Sequence, residues 1–335
     1  MADLSFVGHG LSRPECALAH SSGLIVAPDW TGNGGVSVIF QDGSVKRHLA
    51  REPLDTGEAL RPNGICLLEG GDLLLAHLGD ETGGVYRLRP DGSVQPFLTH
   101  LNDEPLPPTN FVTLDIADRV WVTVSTRMRP RAAAYRSDVA DGFIVLVEGG
   151  DARIVADGLG YTNECMLHPD GERLFVNETF ARRLTCFEID SDGGLSNRKT
   201  VAEFGTGTFP DGLAFDADGC AWITSIVSNR VLRVDDTGDV LVLLEDANAE
   251  HLNWVENAWS QNAMGRTHLD KAAGRRLRNI SNLAFCGEGL RQAVLGCLLG
   301  DSLALLDMPV AGARPIHWTF DIAPLISALD TKPAL

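Results

Sequence analysis

One pattern recurs six times along this 335-residue chain and restricts the folds open to it. A polar residue follows a Pro or a hydroxyl residue, and a short apolar strand, a turn and a second apolar strand come next. The copies are Arg-Pro-Glu15-Cys-Ala-Leu, Arg-Pro-Asn63-Gly-Ile-Cys, Pro-Thr-Asn110-Phe-Val-Thr, Tyr-Thr-Asn163-Glu-Cys-Met, Phe-Pro-Asp211-Gly-Leu-Ala and Ile-Ser-Asn282-Leu-Ala-Phe. Their key positions are separated by 48, 47, 53, 48 and 71 residues. Second strands are expected at 23–27, 72–76, 119–124, 173–176, 220–224 and 291–296. Third strands are expected near 36–40, 85–88, 143–147, 184–189, 231–234 and 302–306, and turns such as Gln41-Asp42-Gly43 and Pro90-Asp91-Gly92 lead to fourth strands. Six copies of four strands predict an all-β, six-bladed β-propeller of antiparallel sheets. Length alone would favour two domains, but a propeller closes the whole of 1–335 into one.

The last interval is longer than the rest by about one helix. Residues 247–279 hold Trp254-Val-Glu-Asn-Ala-Trp259 and His268-Leu-Asp-Lys-Ala272, which have helical composition and no strand alternation. They predict a helical insertion before blade six. It is either a packed excursion or a wall over the channel mouth, with His251, Trp254, Trp259 and His268 facing the pocket.

Composition narrows the function. Lys plus Arg is 28 and Asp plus Glu is 45, a formal charge of −17. Binding to a phosphate backbone or an anionic lipid surface is not expected of such a chain. None of the 7 cysteines forms Cys-x-x-Cys, and most sit among apolar neighbours as small core residues. With no basic-then-apolar leader at the N-terminus, a cytoplasmic setting is expected. Gly-x-Ser-x-Gly, His-Glu-x-x-His and Walker A motifs are missing, so their chemistries are not indicated.

If the first strand of each copy lies innermost, the six key residues face one mouth of a central channel. Glu15, Asn63, Asn110, Asn163, Asp211 and Asn282 then form a ring of oxygen donors, the kind of set that hard divalent cations take. The competing reading is local: Asn or Asp before Gly often makes an Asx-turn, and Asn63 and Asn282 read that way. Glu15 does not, since Glu is not a turn residue. Asp170, Asp216 and Asp218 read as blade-turn carboxylates, and His77 as structural.

These residues resemble the gluconolactonase, regucalcin and luciferin-regenerating enzyme family, with diisopropyl-fluorophosphatase as a relative. The resemblance runs from about Pro14 to Trp318. It is strongest in Phe209-Pro-Asp-Gly-Leu-Ala-Phe-Asp-Ala-Asp-Gly-Cys-Ala-Trp222, then in Thr162-Asn163 with His168-Pro-Asp-Gly, then in Arg13-Pro-Glu15. It implies a metal-dependent hydrolase opening a small-molecule lactone or ester. The implied metal ligands are Glu15, Asn163 and Asp211, joined by Asn110, which contacts metal or substrate. Asp211 is expected to orient or deprotonate water. Ca²⁺ is the first expected ion, with Zn²⁺, Mn²⁺, Mg²⁺ or Fe²⁺ as alternatives. Other readings of the same site are phosphotriester or ether hydrolysis, or a non-catalytic calcium-binding propeller. The chain departs from the family at Pro108, where sugar-lactone members carry Arg, and at Phe111 and Glu164. Phe111 points to a less polar substrate, and Phe111, Trp254 and His251 join Asn110 as expected substrate contacts.

Overall fold

A computed structural model describes residues 4–330. Six four-stranded antiparallel sheets form the six blades, with a two-stranded hairpin, His100–Leu101 with Glu104–Pro105, between blades two and three. The innermost strands are Leu18–Ala19, Pro62–Leu67, Thr109–Leu114, Thr162–Leu167, Phe209–Phe215 and Ile280–Cys286. Second strands follow at Ile25–Asp29, Leu73–His77, Val120–Val124, Arg173–Glu178, Ala221–Ile226 and Gln292–Cys297, close to where the repeat places them. These second strands are apolar and buried because both faces pack against neighbouring blades; Leu73–His77 is buried at every position.

Blade six holds an element that the repeat does not reveal. Its outer strand is Leu4–Val7, from the other end of the chain, paired antiparallel with Leu303–Asp307. Leu4 lies opposite Leu306 and Val7 opposite Leu303. The ring is thus closed by adding an N-terminal strand to the sheet of the last blade, which removes an open edge.

The residues between blades five and six do form helices: α1 (Ala249–Ser260) and α2 (Arg266–Asp270). The Asn248 side chain caps α1 by accepting the His251 N–H. Val255 is fully buried among Tyr161, Phe180, Phe209, Ile226 and Leu269. Glu256 takes an Arg182 ion pair at 2.7 Å and the Gly207 N–H at 2.7 Å. The insertion is therefore part of the packed body. A third helix, α3 (Ala323–Asp330), buries Leu325 and Leu329 against blades one and two. Among the described residues no helix is long and apolar enough to cross a membrane.

Candidate functional site

In blades two to six, the key polar residue lies inside the innermost strand and not ahead of it. A register shift marks each of these positions: Pro62 to Ile65, Thr109 to Phe111, Thr162 to Cys165, Pro210 to Leu213 and Ile280 to Asn282. Such a bulge re-aims one side chain out of the sheet. The glycines after Asn63 and Asp211 do not serve turns. A Cβ on Gly64 would sit 2.6 Å from Phe111, and one on Gly212 would sit 2.5 Å from the Asn282 Cα. Inner strands of adjacent blades come too close there for any side chain.

Glu15, Asn110, Asn163 and Asp211 line one pocket at the channel mouth. Arg13 donates to Glu15 Oε2 from Nε at 3.2 Å and from Nη2 at 3.0 Å. Asn163 Nδ2 donates to Thr179 Oγ1 at 2.9 Å, leaving Oδ1 for the pocket. Asn110 Oδ1 and Asn63 Oδ1 are buried without a hydrogen-bond partner among the described residues. Burial first, then the charges of Glu15 and Glu164, hold the Asp211 carboxyl well above the usual carboxylate range. Arg13 and Tyr161 each stand two residues before a ring position with positive φ, 59° and 66°. Such strain at non-glycine residues, about 1–3 kcal/mol each, is characteristic of functional loops.

Glu164 carries a third buried carboxyl group. Its Oε2 accepts the Leu213 N–H at 2.8 Å and its Oε1 accepts Asn282 Nδ2 at 2.8 Å. Asn282 Oδ1 in turn accepts the Ala17 N–H at 2.9 Å. One relay therefore ties blades four, five, six and one beside the backbones that bear Glu15 and Asp211. Burial dominates at Glu164 and pushes its pKa up to about 8. Asn282 is a cross-channel tie and not a turn former.

The residue types also fit a cation. Among the described residues no three His, Cys, Asp or Glu side chains group as a ready metal site. The pocket instead combines the carboxylates of Glu15 and Asp211 with amide oxygens of Asn163 and Asn110. That is an all-oxygen set suited to a hard divalent ion, which would relieve the crowding of buried carboxylates and satisfy the orphaned Asn110 oxygen.

Residues 30–246 match the family model described as the SMP-30/Gluconolactonase/LRE-like region. The chain belongs to this family. Over 92 residues it is 34% identical to a 6-deoxy-6-sulfogluconolactonase of Pseudomonas putida, a stretch covering 27% of this chain and 32% of that protein. The match thus spans about a third of that curated relative's length. A gluconolactonase of Xanthomonas campestris superposes with a TM-score of 0.67 at 20% identity, covering 92% of this chain and 90% of that one. A regucalcin of Agrobacterium tumefaciens, described as a calcium-binding protein, gives a TM-score of 0.65 at 15% identity, covering 93% and 97%. At such identities the two structures establish a shared fold.

Within this family scaffold, three expected substrate contacts lie elsewhere. Phe111 is buried in the inter-blade core against the space left by Gly64, so it carries no information about substrate polarity. Trp254 stacks on His268 at 4.1 Å between ring centroids, and His251 Nε2 bonds to the His268 carbonyl at 2.9 Å. Neither Trp254 nor His251 lines the pocket. Trp259 lies under the Arg182 guanidinium at 3.7 Å. The insertion reaches the pocket through Arg266, Leu269 and Asp270 of α2 instead. Arg131, Tyr135 and Tyr161 complete the wall; Tyr161 opens the fourth repeat copy, and no sequence motif singles out the other two. Arg131 and Tyr135 sit on the connection between the second and third strands of blade three, outside the repeat, where the period gives no signal.

Asp216 and Asp170 do hold blade turns, as expected. Asp216 accepts N–H groups of Asp218 and Cys220, Trp222 Nε1 at 2.9 Å and Arg233 Nε at 2.8 Å. Asp170 accepts the Glu172 N–H at 2.8 Å. Asp115 repeats the Asp216 arrangement with Trp121 Nε1 at 3.0 Å and Arg119 Nε at 2.7 Å.

Proposed function

We propose that this chain hydrolyses a lactone or a related ester in the channel pocket, with one divalent cation held by Glu15, Asn163, Asp211 and Asn110. The observation that carries the reading is the convergence of Glu15, Asn163 and Asp211, from blades one, four and five, on one pocket. When bound, such an ion supplies Lewis-acid polarisation of a carbonyl and lowers the pKa of a water molecule. Family membership supports the reaction class, as does the lactonase name of the Pseudomonas putida relative. The calcium-binding description of the Agrobacterium tumefaciens structure supports the cation, and an all-oxygen donor set makes Ca²⁺ the first candidate.

The chain's own residues divide the remaining work. Arg13 fixes Glu15 by a two-nitrogen contact, and Thr179 fixes Asn163 so that its oxygen faces the pocket. Asp211 receives no protein donor at its carboxylate among the described residues, so it is free to orient the attacking water and accept its proton. Leu269, Leu298 and Leu299 form an apolar wall that restricts water.

The test is a panel of lactones, carboxylic esters and phosphotriesters assayed on metal-stripped protein, with each divalent ion restored in turn. Lactone opening that returns with a divalent ion is the expected result. Phosphotriester turnover without lactone turnover moves the reaction class. Tight calcium binding with no turnover of any substrate replaces the enzyme by a binding propeller.

A further inference from the structure

Arg131 stands apart from the other cations of the pocket. It opens a short 3-10 turn, Arg131–Ala134, in the connection between the second and third strands of blade three. Its Nε donates to the Tyr161 hydroxyl at 2.8 Å, and its guanidinium lies 5.5 Å from that ring's centroid. Its Nη1 is buried and has no hydrogen-bond partner among the described residues. Tyr161, Tyr135 and Phe180 pack on one another with centroids 4.6–5.4 Å apart, so the support beneath the guanidinium is rigid. A buried charged donor without an acceptor costs free energy, and a site that keeps one is shaped for a ligand that supplies the acceptor.

The charge balance of the wall agrees. Arg13 is paired with Glu15 at 3.0 Å and Arg266 with Asp270 at 2.9 Å. Among the described residues Arg131 has no carboxylate within ion-pair distance, so of the three guanidinium groups lining the pocket it alone is uncompensated at contact range. Arg266 reaches the same cavity from α2, and its partner Asp270 is half-exposed and can yield it. Guanidinium groups offer planar paired donors that match oxyanions.

We propose that Arg131, assisted by Arg266, is an anion subsite, and that the substrate is a lactone bearing a second, negatively charged group: a sulfonate, phosphate or carboxylate. This deepens the lactone reading above and rests on it for the reacting half of the substrate. It also explains how the pocket does without an Arg at position 108: cationic recognition comes from the blade-three connection and from the insertion. Arg131 is thereby a specificity residue. If it merely offset the Asp211 charge, replacing it would slow neutral and anionic substrates alike.

The experiment compares sugar lactones of one ring that differ only at the terminal carbon, carrying hydroxyl, carboxylate, phosphate or sulfonate. Wild-type protein, Arg131→Met, Arg131→Lys and Arg266→Met are each assayed. Separately, binding of methanesulfonate and of inorganic phosphate is followed by thermal shift without turnover. Wild type is expected to favour an anionic lactone in kcat/KM. Arg131→Met is expected to erase roughly ten- to a hundredfold of that preference, chiefly through KM, and to abolish the anion-induced shift. Arg131→Lys should retain part of both. The arms separate sulfonate, phosphate and carboxylate as the preferred group. Equal losses on neutral and anionic lactones, or a wild-type preference for the neutral one, overturn the subsite. If no lactone is opened, the lactone reading fails and the thermal-shift arm decides: an Arg131-dependent shift sustains the anion site, and none removes it. Should Arg131→Met not fold, the wild-type preference together with Arg131→Lys and Arg266→Met decides between the same two outcomes.

Discussion

Among the described residues Asp211 is the pocket carboxylate with no protein donor, so its loss removes charge and proton acceptance together. Asp211→Asn is expected to lower kcat by roughly a hundredfold or more. Asn63→Ala, which removes only the hydrogen bond to the Asn110 carbonyl at 3.0 Å, should cost less than tenfold. Steady-state kinetics on one lactone, with metal content measured in parallel, checks both; comparable losses would make the whole ring the functional unit. Glu15, Asn163 and Asp211 are legible in the sequence because a repeat delivers equivalent positions to one channel mouth. Arg131 is not, because the path of a non-repeating connection depends on tertiary packing. Phe111 misleads because polarity at a ring-adjacent position says nothing about which way the bulge turns the next side chain. His77 is structural, as its place at the end of an apolar strand implies, and it sets a pH limit. Its Nδ1 accepts the Arg61 N–H at 3.0 Å, which requires the neutral ring. Burial, with help from Arg61, pushes its pKa down to about 4 from an ordinary 6.5. The unfolded chain therefore takes up this proton first as pH falls. The stability His77 contributes is complete above pH 6.5 and drains away toward pH 4, by about 3 kcal/mol. Urea unfolding at pH 7 and pH 4.5 should show that loss in wild type and much less in His77→Gln. An identical pH dependence in the two proteins would show that other groups set it.

The inner strands act as carriers of the ring, and the hydrogen bonds between them determine how firmly it is held. Asn282 joins the Ala17 N–H to Glu164, and Glu164 reaches the Leu213 N–H, so a single amide secures strands of four blades. Removing it leaves a buried N–H and a buried carboxyl oxygen without partners. Asn282→Ala should destabilise the fold by roughly 1–3 kcal/mol and lower turnover although Asn282 does not line the pocket. A melting curve and a kcat measurement on the same preparation decide it; unchanged values for both would make the relay incidental. The sequence can reveal Asn282 as a member of the ring but not its partners, because those partners lie 118 and 265 residues away. The insertion shows the same limit. Its helical composition is readable locally, yet which face meets the body is not. The body claims Val255 and Trp259, and α2 rather than α1 supplies the pocket wall.

At the scale of the whole molecule, the six repeats are necessary for the ring but do not close it. Neighbouring blades pack face to face wherever they meet, so the one seam that needs a special device is the one between blade six and blade one. That device is Leu4–Val7, which pairs with Leu303–Asp307 and is supported by an Arg276 side chain donating to the Leu4 carbonyl. The same seam holds the Leu11 N–H on the Asp301 carbonyl at 2.9 Å and the Cys297 N–H on the Pro14 carbonyl at 2.8 Å. Glu15 follows directly from this last contact, so ring closure and the placement of a pocket carboxylate are one structural problem. A four-residue strand at a chain end has too little pattern to be read as a strand from sequence, and only its partner 302 residues away gives it that role. Deleting residues 1–8 removes the pairing and the burial of Leu4, Phe6 and Val7, worth roughly 3 kcal/mol or more. It also bares the edge of Leu303–Asp307, an apolar strand open to pairing with a second molecule. The truncated chain should melt at a lower temperature, associate in size-exclusion chromatography, and bind a divalent ion more weakly than full-length protein, because Glu15 loses its anchored approach. Replacing Leu4 and Phe6 by Ser in the full chain gives the milder version, with a lower melting temperature but a covered edge. If the truncated protein keeps its melting temperature and its ion affinity, closure resides in the blade contacts alone and the N-terminal strand is an accessory.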